Sequence, residues 1–143
     1  MSRTQPLKIA AELAAAIAAR FGLYALLLFF LLQTLEGVVR YDFLALTAMI
    51  VILMHEASHI LGMEIVKADH YESFHMLAIN YGAVNLSGYR AAFAVILPYL
   101  VLFPLGYWLT TTGVATYIAA GWAVILMHAI LLPIEALSLR ISE

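Results

Sequence analysis

The chain has 143 residues and no cysteine, and that single absence removes three kinds of chemistry. It leaves no disulfide framework, no thiol nucleophile and no thiolate metal site. A bound metal would have to be held by histidine and carboxylate. Charge is scarce as well: 11% of the residues are Asp, Glu, Lys or Arg, against 65% hydrophobic. A soluble domain of this length does not carry that balance. The net charge of −2 and the lack of any basic run argue against nucleic acid as a partner. Repeats and low-complexity tracts are missing, apart from an alanine-rich stretch from Ala10 to Ala19. Nothing resembles a cleavable signal peptide, since the first strongly apolar run begins at Phe21 and no Ala-x-Ala site follows it. What remains is an integral membrane protein of one domain, with the lipid bilayer as its surroundings.

The apolar runs divide the chain into four expected spans. Leu7 to Arg20 reads as a helix with Ile9, Leu13 and Ile17 on one side, lying at the interface or extending the first span inward. Phe21 to Leu35 is span one, and Glu36, Gly37, Arg40 and Asp42 make a short polar turn. Span two is Phe43 to Met63. Glu64 to Arg90 is the long polar connection. Within it, Phe74 to Leu86 is rich in β-favouring and turn residues and reads as a membrane-associated hairpin of two short strands turning near Gly82. Span three is Ala91 to Thr110, with Pro98 and Pro104 as tolerated kinks. After a tight turn at Thr110 to Gly113, span four runs from Val114 to Leu139 and is interrupted by Pro133. The expected fold class is therefore an all-α membrane protein with about four transmembrane helices and one short β-hairpin. Six of the seven basic residues (Arg3, Lys8, Arg20, Lys67, Arg90 and Arg140) fall on one side, and Arg40 alone on the other. Both termini are accordingly expected in the cytoplasm.

Inside span two stands His55-Glu56-Ala57-Ser58-His59. Residues four apart on a helix share a face, so the two imidazoles can grip one ion from one side. Glu56 is offset by one position and can reach a water on that ion without ligating it. Charged groups near the centre of a membrane helix cost about 2.5–3.5 kcal/mol each on insertion scales, so their presence asks for a function. A purely structural role, with the two histidines and the glutamate bonded to neighbouring helices, is the plain alternative.

A catalytic zinc site takes three protein ligands and keeps one position open for water. Candidates for the third are His128, Glu135, His70, His75 and Glu64. Depth ranks them in two ways. His59 and Glu135 each lie five residues from a polar boundary, about 7–8 Å inside. Counted from the other side, His128 lies about 21 Å into span four and His55 about 18 Å into span two. The first count favours Glu135 and the second His128. Because a carboxylate on a lipid-crossing helix has few partners other than a cation, Glu135 is taken as the ligand. His128 is the alternative third ligand, or a nearby hydrogen-bond partner or proton relay.

These residues resemble the integral-membrane zincins, the group that includes the site-2 proteases. The hydrophobic-hydrophobic-His-Glu-x-x-His motif of that group is matched by Ile52 to His59. The group also has a membrane-associated β-hairpin after the motif and an Asp ligand from a later span, in an Asn-x-x-Pro then Asp-Gly pattern. Here Ile130 stands at the Asn position, Pro133 is kept and no Asp-Gly follows. The chain is more similar to a smaller membrane zincin family in which an Arg precedes a Leu-x-Pro-Tyr-like helix, here Arg90 and Leu97-Pro98-Tyr99. In that family a later His is followed seven residues on by an acid, here His128 and Glu135. The resemblance implies an intramembrane zinc endopeptidase acting on a membrane-protein or transmembrane-peptide substrate, with Glu56 as general base. Asn80, Asn85, Tyr81 and Arg90 are candidates for contacting the oxyanion or the substrate, and the 74–86 strands for clamping it. Two other readings stand beside this one. One is a non-proteolytic metal- or haem-binding membrane protein; the other is an inactive protease-like scaffold.

Overall fold

The computed structural model describes residues 5–67, 69–75, 78–84 and 88–141. Its body is four helices: α1 (Gln5–Leu35), α2 (Tyr41–Ile65), α3 (Tyr89–Thr110) and α4 (Ala115–Ile141). Each contains a segment long and apolar enough to cross a bilayer: Ile17–Leu35, Tyr41–Ile65, Tyr89–Thr110 and Ala115–Leu137, of 19, 25, 22 and 23 residues. At the helical rise these lengths reach about 28–38 Å, against a hydrocarbon core of about 30 Å. The chain fits a multi-pass membrane protein. Of the two readings of Leu7 to Arg20, extension of the first span is the one found: the segment is continuous with that span in α1.

The fold class needs one correction. The hairpin expected over 74–86, with its turn near Gly82, is not found. Two strands do pair antiparallel between α2 and α3, but they are β1 (Asp69–His75) and β2 (Ala78–Val84). Gly82 lies inside β2 opposite Tyr71, and His75 is opposite Ala78. Glycine is compatible with a strand interior as well as with a turn, so it misplaced the reversal. The pairing segment, beginning Asp69-His70-Tyr71-Glu72-Ser73, has no apolar alternation to mark it as a strand. The membrane body is all-helical.

Lipid tails are as apolar as leucine, so the helices are held together by close packing and internal polar contacts. The inward faces accordingly combine small residues, a few polar ones and interlocked large apolar side chains, while further large apolar residues face outward. Along α4, Ala120, Val124, His128, Leu131 and Glu135 are buried, while Trp122, Leu126, Ile130 and Leu137 face outward. Along α1 the buried face descends in steps of four through Arg20, Tyr24, Leu28 and Leu32. Glycine permits the closest approaches. A Cβ on Gly121 would lie 2.5 Å from the carbonyl oxygen of Gly106, and one on Gly62 would lie 2.9 Å from Ala94 Cα. The second contact brings α3 against α2 within one turn of His59. In the bundle α4 packs on α1 and α3, and α2 packs on α3 and α1. The helices α2 and α4 therefore face each other across the bundle axis, where their side chains meet.

Candidate metal centre

His55 and His59 lie one turn apart on α2 and both point into the bundle, 0% and 5% exposed. Glu135 meets them from α4. Its Oε1 is 3.0 Å from His55 Nε2, and its Oε2 is 3.3 Å from His59 Nε2. The two Nε2 atoms are 3.1 Å apart. One ligand atom from each of the three residues lies within 4.8 Å of the others, so this buried group could hold a metal ion.

The far sides of the two rings decide what the near sides offer. His59 Nδ1 is 3.0 Å from the carbonyl oxygen of Ala94, and His128 Nδ1 is 2.7 Å from that of Val124. A carbonyl oxygen only accepts, so both Nδ1 atoms carry the hydrogen and donate it. The Nε2 of a neutral His128 is then bare and accepts from His55 Nδ1–H at 3.1 Å. This arrangement leaves Nε2 of both His55 and His59 as lone pairs, facing each other and a carboxylate. Three electron-pair donors converging without a hydrogen among them repel one another unless a cation lies between. The donor set thus fits a metal ion, and each of the two rings has an outer partner of the kind that fixes the orientation of a metal-binding imidazole.

Glu135 is anchored from behind as well. Tyr99 of α3 donates its hydroxyl to Oε2 at 2.7 Å, and Arg20 of α1 donates Nη2–H to Oε1 at 3.1 Å. The other arm of that guanidinium pairs with Oε1 of Glu56. Glu56 therefore stands beside the three converging residues, one guanidinium away from Glu135. All four helices contribute to the centre.

Of the residues singled out by sequence, His55, His59 and Glu135 come together, with Glu56 adjacent. His128 sits behind His55, on the side away from Glu135. Arg90 is elsewhere: its guanidinium donates to the carbonyl oxygens of Val66 and, at 3.1 Å, Lys67, where it closes the C-terminal end of α2. Glu64 is exposed on α2. His70 and His75 fall on β1, and Tyr81 and Asn80 on β2, opposite Glu72 and Ser73. Asn85 lies outside the described residues.

Two residues of the centre were missed, Arg20 and Tyr99. Arg20 had read as a flanking charge on the cytoplasmic side, yet it is 2% exposed. The available signal was its place at the head of the Tyr24–Leu28–Leu32 row, which an all-apolar sequence does not set apart from other rows. Tyr99 entered only as part of a family pattern. Comparison with protein-family models, with curated proteins and with solved structures finds no match to this chain.

Proposed function

We propose that this protein is an intramembrane zinc endopeptidase that hydrolyses peptide bonds of membrane-embedded substrates, with both of its termini on the cytoplasmic side. One observation carries the reading: ring nitrogens of two imidazoles and a carboxylate converge in the bundle, with a further carboxylate, Glu56, set beside but outside them. Two histidines and one glutamate are a donor set of catalytic zinc and leave a coordination position open. Zinc held there supplies Lewis acidity towards a scissile carbonyl and makes water a competent nucleophile near neutral pH.

The chain's own residues divide the rest of the work. Glu56 takes the proton of the attacking water and returns it to the leaving amine. His128 and the Ala94 carbonyl fix the two rings, while Tyr99 and Arg20 fix Glu135. A substrate helix must unwind before cleavage, because its scissile carbonyl is otherwise tied up in the helix's own hydrogen bonds. A carrier of metal ions has no need of a carboxylate held next to the ligands without joining them. Haem is disfavoured by the contact between His55 and His128, whose rings hydrogen-bond directly at 3.1 Å and leave no room for a macrocycle between them.

The test is cleavage of a panel of synthetic transmembrane peptides in proteoliposomes, read by mass spectrometry. Zinc-loaded protein is expected to cut at least one peptide, to stop when zinc is chelated with 1,10-phenanthroline and to resume when zinc is restored. Failure to cut any member of a broad panel, or cutting that ignores chelation, would overturn the reading.

A further inference from the structure

Arg20 is the member of the centre that the chemistry above uses least. It lies near the start of the apolar segment of α1, almost fully buried, and its guanidinium bridges Glu56 and Glu135. Glu135 has an additional hold, from the Tyr99 hydroxyl. Glu56 is in a different position. It follows His55 directly, is only 14% exposed and shares the Arg20 guanidinium with Glu135, so its carboxylate lies close to the three converging residues. A carboxylate there has two outcomes open to it. It can bind the ion and fill the open position, or it can stay off and act as a base.

We propose that Arg20 is a positioning residue that keeps Glu56 out of the metal's ligand set, and so makes it a base instead of a fourth ligand. The inference rests on the reading of His55, His59 and Glu135 as ligands and Glu56 as base. A guanidinium is a planar fork with fixed donor directions, so a carboxylate on each arm is held at a set spacing from the other. Glu135 on one arm is anchored to the ion's position; Glu56 on the other arm is thereby anchored away from it. The arrangement also gives α1 a share in the chemistry, although α1 carries none of the ligands.

Binding of Co²⁺ alone to the detergent-purified full chain tests this, without need of a substrate. Arg20→Met is expected to bind Co²⁺ more tightly by on the order of ten- to a hundredfold, the size by which loss of an outer-shell partner usually weakens binding but opposite in sign, because a fourth ligand is gained. Its visible absorption should weaken as Glu56 joins the ion and the coordination number rises. In a Glu56→Gln background the same change at Arg20 should alter affinity by less than about threefold, and leave the spectrum as it was. If Arg20→Met does not fold, Arg20→Gln removes the charge while keeping polar atoms at the site. Tightening that persists at full size in the Glu56→Gln background would overturn the proposal and reduce Arg20 to a repelling charge. Unchanged or weaker binding in Arg20→Met would overturn it too, leaving Arg20 a structural tie. A wild type that binds no Co²⁺ is a different failure, because it removes the metal centre itself.

Discussion

Glu56→Gln is expected to keep its zinc and to lose cleavage of a transmembrane peptide by about a hundredfold to ten-thousandfold, the range of a general base. The substitution is nearly isosteric, and its amide oxygen can still accept a hydrogen bond from Arg20, so the geometry of the fork is largely retained. Glu56 is not among the three converging residues that could hold the ion, so the change gives the ion no reason to leave. What the change removes is a site for the proton. Initial rates on one peptide in proteoliposomes, beside zinc content by elemental analysis, separate the possibilities. Zinc lost together with the rate would place Glu56 among the ligands. An undiminished rate would remove it from the mechanism.

The ligand set itself should give all-or-none results. His55→Ala, His59→Ala and Glu135→Gln are each expected to abolish stoichiometric zinc, because two protein donors do not make a stable catalytic site. Glutamine is preferred at 135 because its amide oxygen can still accept from Arg20 or Tyr99, whereas alanine would leave both donors facing an empty space. His128→Ala should behave differently. It removes the acceptor for His55 Nδ1–H but no ligand, so zinc should stay at full stoichiometry with affinity reduced by about ten- to a hundredfold. Competition with a chromophoric chelator reads these differences. The opposite pattern, zinc kept by Glu135→Gln and lost by His128→Ala, would make His128 the third ligand.

The depth counts that disagreed about the third ligand were both reporting real neighbours. His55 lies between His128 and Glu135, with Nδ1 towards one and Nε2 towards the other. Residues seven apart on α4 thus both reach the same ring, one in front and one behind. The four spans were legible because hydrocarbon thickness sets helix length directly. The motif was legible because His and Glu are costly in lipid and stand out against an apolar background. Arg20 escaped for a related reason. Charge at the end of an apolar run ordinarily marks the membrane boundary, and nothing in the local sequence says that Arg20 turns into the bundle. The strand register escaped because the hairpin lacks the alternation that fixes register when one face is buried.

Zinc content of the detergent-purified wild type, by elemental analysis after dialysis against metal-free buffer, tests the centre most directly. The expected value is about one zinc per chain, the stoichiometry of a single three-ligand site. A monodisperse, helical protein that retains no zinc and takes none up on titration would contradict it, and would leave His55, His59 and Glu135 as a hydrogen-bonded tie between α2 and α4.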